Sequence, residues 1–171
     1  SSGSRTNPWM QESSNKIIQD GEIVSFDTDM VGPYGYCADI SRAFVCGNKF
    51  NEHQKKIYLT AVEQIEYNSR LIKDGVSFKE FTEKAWILPE KYYGNRYSVM
   101  LHGIGLCDEW PAIRYPTDGG ERSGIFQKNM TITLESYIGE VGGHEGVKLE
   151  QQYLVGENGL ELMSHHPLEQ I

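Results

Sequence analysis

Residues 26–44 read FDTDMVGPYGYCADISRAF, and this stretch decides the fold. Residues 22–29 and 36–45 are two runs rich in β-branched and aromatic residues. Gly32-Pro33-Tyr34-Gly35 lies between them, so the segment reads as a hairpin. Asp27 and Asp29 are two apart, which puts both on one face of the first strand. Asp39 lies in the second. Outward from the hairpin, three more chemistry-bearing residues occupy short, mostly apolar segments. They are His102 in MLHGIGL, Glu135 in TITLESY and Glu150 in VKLEQQY. Glu135 shares a strand face with Thr133 and Tyr137, while Ile132, Leu134 and Ile138 face the other way.

An acidic side chain in an apolar strand is costly unless paired or metal-bound. Five carboxylates that converge repel one another and need cations between them. The donors are oxygen and imidazole, without thiolate, which suits Mn, Fe, Co or Zn. Asp27, Asp29, Asp39, His102, Glu135 and Glu150 therefore read as a site for two divalent transition-metal ions. Counted alone, five carboxylates against two such ions leave one negative charge, which weakens Lewis acidity and favours iron over zinc.

The hairpin stretch, HGIGLCDEWP (residues 102–111), TLESYIG (133–139) and GVKLEQQYLVGENGLELMS (146–164) resemble blocks of the creatinase/methionine aminopeptidase superfamily. That resemblance implies the pita-bread fold, with the order Asp, Asp, His, Glu, Glu as metal ligands. By position, Asp39 and Glu150 would bridge two ions and His102 and Glu135 would hold one of them. The usual first-Asp position, eleven before Asp39, holds Thr28, with Asp27 and Asp29 on either side. The peptidases of the superfamily carry two further histidines. Trp9 stands in place of one, and Asp108–Glu109 in place of the other. With SGSRTNPWMQE (residues 2–12), these departures are similar to the DddP class of dimethylsulfoniopropionate (DMSP) lyases. The resemblance implies cleavage of DMSP to dimethyl sulfide and acrylate, with Asp108 and Tyr97 as catalytic residues. Two rival readings are an Xaa-Pro-type metallopeptidase and a binding module that keeps the fold without the activity.

The chemistry of such a lyase can be argued from the residues. A sulfonium carboxylate eliminates when a base takes the proton next to the carboxylate and the neutral sulfide leaves. Asp108, six residues beyond His102, can be returned to the centre by a turn. A sulfonium suits an aromatic cage; Trp9, Tyr36 and Trp110 are the substrate-binding candidates, with Tyr34 and Tyr97 also flanking the motifs.

The 171 residues suffice for one domain, read here as a metal-binding catalytic domain over 1–171. The resemblance implies that it is the C-terminal portion of a longer family chain, and that it forms a homodimer. A net charge of −8 excludes nucleic acid and anionic membrane as partners; the expected partner is a small zwitterion. Cys37, Cys46 and Cys107 lack paired spacing and suit a reducing cytoplasm as packing residues. His53, His144, His165 and His166 read as exposed. Apolar residues recur at helical spacing over 51–73, and Ser77 and Glu80 form a capping-box pattern for a second helix ended by Pro89. Strands are expected around His102 and over 130–138, 147–155 and 160–163. The fold class is α+β: a curved antiparallel sheet with helices packed behind it.

Overall fold

The computed structural model describes residues 1–47, 49–119 and 123–168. The first hairpin pairs β1 (Ile23–Val31) with β2 (Cys37–Val45) in antiparallel register, Asp27 opposite Ser41 and Asp29 opposite Asp39. Its tip is a short 3-10 turn, Pro33–Gly35, where Tyr34 and Gly35 take left-handed backbone (φ 62° and 82°). A five-stranded antiparallel sheet follows, in the order β4 (Ala112–Arg114), β3 (Val99–Gly103), β5 (Thr131–Gly139), β6 (Gly146–Val155), β7 (Leu160–Leu162).

The expected α+β fold of antiparallel strands backed by helices is present, and hydrogen bonding divides the strands into a two-stranded and a five-stranded sheet. β2 packs against β6 instead of pairing with it. The junction is held by the buried guanidinium of Arg42, which donates to the Glu150 carbonyl at 2.6 Å and the Gln151 Oε1 at 2.6 Å.

Helix α1 (Glu52–Ser69) covers one face of β5 and β6. Its start is fixed by a reciprocal capping box, Asn51 accepting from the Gln54 N–H and Gln54 from the Asn51 N–H. Ile57, Tyr58, Ala61 and Ile65 bury against Ile132, Leu134, Ile138, Val147 and Leu149. These strand residues alternate with Thr133, Glu135, Lys148 and Glu150, so the period of two that builds the core aims the polar set at the other face. Helix α2 (Phe78–Lys84) starts where Ser77 accepts from the Glu80 N–H at 3.0 Å. It ends at Lys84, ahead of Pro89, which instead precedes the short α3 (Glu90–Tyr93).

The segment before β1 is tied to the β5–β6 turn. Tyr137 Oη donates to the Thr6 carbonyl at 2.7 Å, and Asn7 Nδ2 donates to the carbonyls of Glu140 and Gly143. Gly146 is required here, because a Cβ would lie 2.7 Å from the Thr6 carbonyl oxygen.

Candidate metal centre

The expected ligands come from five strands that meet on the face opposite α1. β1 supplies Asp27 and Asp29, β2 supplies Asp39, β3 His102, β5 Glu135 and β6 Glu150. Glu135 and Glu150 are direct cross-strand partners, as are Asp29 and Asp39. Around His102 Nε2, carboxylate oxygens of Asp39, Glu135 and Glu150 lie at 3.5, 3.4 and 3.3 Å. Those contacts are not hydrogen bonds: the buried His102 Nε2 and Glu150 Oε1 have no hydrogen-bond partner, and neither has the other Asp39 oxygen, Oδ1. Two ligands about 2.1 Å from one ion at the tetrahedral angle lie about 3.4 Å apart. The spacing and the orphaned atoms therefore fit a metal ion. His102 Nδ1 lies 3.0 Å from the Gly103 carbonyl, which orients the ring and leaves Nε2 for the centre.

A second group joins Asp27, Asp39 and Glu150, with one oxygen of each within 4.8 Å of the others; a third joins Asp29, Asp39 and Asp108. Asp39 and Glu150 thus each belong to more than one of these groups, the two residues to which the resemblance gives a bridging place. Asp29 is more exposed than Asp27 and approaches Asp108 instead of Glu150.

One central residue escaped the sequence reading. Lys148, two before Glu150 on the same face of β6, is 2% exposed. Its Nζ lies 2.8 Å from Glu135 Oε2, 3.0 Å from Asp27 Oδ2, 3.4 Å from Glu150 Oε2 and 2.9 Å from Ser41 Oγ. Ser41 Oγ also donates to Asp27 Oδ1 and lies 3.1 Å from Glu150 Oε2. This ammonium corrects the charge count: five carboxylates, Lys148 and two divalent ions sum to zero, so the argument favouring iron over zinc no longer stands. The signal was available, because a lysine sharing a strand face with Glu150 in an otherwise apolar run needs an anionic partner.

Without ions the cluster relies on protons. Burial, with Glu150 and Asp27 adding, pushes the Asp39 carboxyl up to about 8 against the pull of His102. Burial lowers the His102 imidazole, but Asp39, Glu150 and Glu135 outweigh it and push it up to about 11. Glu150 is disfavoured as an anion by burial, yet Lys148 and His102 hold it down at about 2. Burial drives Glu135 well above the usual range despite Lys148.

The loop after His102 returns over β3. The Gly103 N–H donates to the Pro111 carbonyl at 3.0 Å, and a Cβ at Gly103 would collide with the Trp110 carbonyl. That return brings Asp108 to Asp29 and Asp39, and Glu109 to Asp39 and His102. Asp108 Oδ1 accepts the Glu109 N–H at 3.0 Å. Tyr97 lies 5.0 Å, ring centre to Nζ, from Lys148, and burial raises its phenol well above the usual value.

The three candidate cage rings do not share one cavity. Trp9 faces Lys148 at 5.9 Å and Tyr137 at 6.5 Å. Tyr36 and Trp110 line a separate cavity of about 390 Å³ with Leu101, Ile104, Phe126 and Met130. Tyr36 lies just before β2, in the turn that closes the hairpin, and Trp110 in the loop after His102. Cys107, expected as a packing residue, is exposed, whereas Cys37 and Cys46 are half-buried. His53, His144, His165 and His166 are exposed as expected.

The profile of metallopeptidase family M24 matches residues 1–157. A dimethylsulfoniopropionate lyase DddP of Roseovarius nubinhibens is 39% identical over 171 residues, covering 98% of this chain and 38% of that protein. This chain thus spans well under half of the curated relative. Among solved structures, a prolidase from Pyrococcus furiosus superposes with a TM-score of 0.80 at 29% identity, over 99% of this chain and 48% of the other. An X-Pro aminopeptidase from Thermotoga maritima gives 0.80 at 27% identity, over 98% and 46%. Among the described residues, no helix is long and apolar enough to cross a membrane.

Proposed function

Since this chain belongs to metallopeptidase family M24, with its pita-bread fold, we propose that it carries the catalytic site of a metal-dependent carbon–sulfur lyase. The substrate in this reading is DMSP, and the products are dimethyl sulfide and acrylate. The observation that carries it is the loop after His102, where two carboxylates, Asp108 and Glu109, face the ligand set. Peptide hydrolysis calls for a donor to the developing oxyanion, which a carboxylate at that place does not supply. The 39% identity with the Roseovarius lyase supports the same choice.

Asp27, Asp29, Asp39, His102, Glu135 and Glu150 would hold two divalent transition ions. Bound there, the ions would grip the substrate carboxylate and acidify the adjacent C–H, a Lewis-acid role. Asp108 takes that proton. Its Oδ1 already accepts the Glu109 N–H, so Oδ2 is the acceptor. The electron pair of the broken C–H bond becomes the C=C bond, the C–S bond breaks, and the sulfur leaves as neutral dimethyl sulfide. Tyr97 keeps its proton, given its raised pKa, and orients the substrate as a donor. Lys148 steadies Asp27 and Glu135 throughout.

The likeness to prolidases favours one rival, an Xaa-Pro peptidase. The test is headspace detection of dimethyl sulfide from metal-loaded protein given DMSP, beside an Xaa-Pro dipeptide assay. Sulfide without dipeptide cleavage is the expected result; dipeptide cleavage without sulfide overturns the lyase.

A further inference from the structure

Glu109 has no assigned role, and three features set it apart. It takes a left-handed backbone, φ 62°, which a side-chain-bearing residue rarely adopts and which glycine takes freely. It is exposed, although the ligands beside it are buried. Yet its carboxylate lies within 4.8 Å of ligand atoms of both Asp39 and His102, whose Oδ1 and Nε2 are buried and unpartnered. The reversal of chain direction at Glu109, locked by the bond from its N–H to Asp108, lets two consecutive side chains approach the same centre.

The charge there is unbalanced. The ligand set, Lys148 and two divalent ions sum to zero, so Asp108 and Glu109 leave an excess of two negative charges at the mouth. Two aromatic rings beside the ligands, Tyr97 and Trp9, already face the Lys148 ammonium at 5.0 and 5.9 Å. Tyr36 and Trp110 line the other cavity. A cationic ligand group entering this mouth meets a carboxylate before it meets a free aromatic face.

We propose that Glu109 selects the substrate's positive charge: with an anionic end drawn to the metal centre, its carboxylate contacts the onium end of a short zwitterion. The inference rests on the proposed placement of substrate carboxylate at the metals, not on turnover. An uncharged tail of the same shape gains nothing from Glu109, and an anionic tail is repelled.

The test uses two isosteric probes that cannot eliminate sulfide: trimethylammonio-propionate, and the acid in which a quaternary carbon replaces its nitrogen. Binding to metal-loaded protein is measured by calorimetry for wild type, Glu109→Gln and Glu109→Asp, with metal content measured alongside. Wild type is expected to prefer the cationic probe by roughly tenfold. Glu109→Gln should lose most of that preference through the cationic probe alone, with metal content unchanged and Glu109→Asp retaining part of it. A Glu109→Gln protein with full preference overturns the proposal. So does one that loses both probes equally along with its metal, since Glu109 would then be a ligand. Wild type binding neither probe overturns this proposal and the metal-bound-carboxylate reading together. A preference that depends on Glu109 in a protein that releases no sulfide upholds this proposal and overturns the lyase alone.

Discussion

Replacing Lys148 by methionine removes the buried cation at the heart of the site while keeping most of its volume. Three carboxylates, those of Asp27, Glu135 and Glu150, then lose an ammonium at 2.8–3.4 Å. Removing one partner of a buried ion pair costs about 3–5 kcal/mol. Ser41 stays in contact with Asp27 and Glu150, so the lower end applies. For a domain of this size about 3 kcal/mol corresponds to a Tm lowered by roughly 6–12 °C. Metal binding should move the opposite way. The site goes from neutral to one net negative charge with two ions bound, and an adjacent positive charge no longer repels them. Affinity is expected to rise by roughly tenfold, about 1.4 kcal/mol. Thermal melts of chelator-treated and metal-loaded Lys148→Met, with competitive metal titration, read both effects. A chelated variant as stable as wild type, or one that binds metal more weakly, would refute the placement of this ammonium among the ligands.

Chelated wild type should lose stability as pH rises. Asp39 and His102 have raised folded pKa values, about 8 and about 11, so the metal-free fold holds protons that the unfolded chain has released. Their contribution is present at low pH, declines through about 8 for Asp39 and is lost through about 11 for His102, while metal affinity climbs as those protons leave; melts and titrations across that range check it. Asp108→Asn should reduce sulfide release by at least about 100-fold with metal content intact; an active variant moves the base elsewhere. Gly103→Ala, whose Cβ meets the Trp110 carbonyl and the Pro111 ring, should cost about 1–3 kcal/mol and raise KM by displacing the Asp108 loop, read by melts and kinetics.

The convergence of the candidate ligands was legible because each acid sits in a strand, where a period of two states which residues share a face. Thr133, Glu135 and the oppositely facing Ile132 and Leu134 follow that rule in the structure. Register was not legible. That Glu135 opposes Glu150, and Asp29 opposes Asp39, is fixed by turn geometry and packing between distant segments. The division into two sheets was hidden for the same reason, since Arg42 joins β2 to β6 through the Glu150 carbonyl and the Gln151 side chain, contacts that carry no sequence signature. β4 and α3, three and four residues long, are too short to show periodicity. Lys148 was readable from face parity alone. Glu109 was not, because glutamate gives no hint of a left-handed turn.

The central claim is a centre for two ions shared by six residues. The most direct measurement is anomalous diffraction from crystals of metal-loaded protein. Two peaks are predicted. One should be bounded by His102, Glu135, Glu150 and Asp39, and the other by Asp27, Asp29, Asp39 and Glu150. A single peak beside His102, with the Lys148 ammonium alone serving the Asp27 side, would contradict it.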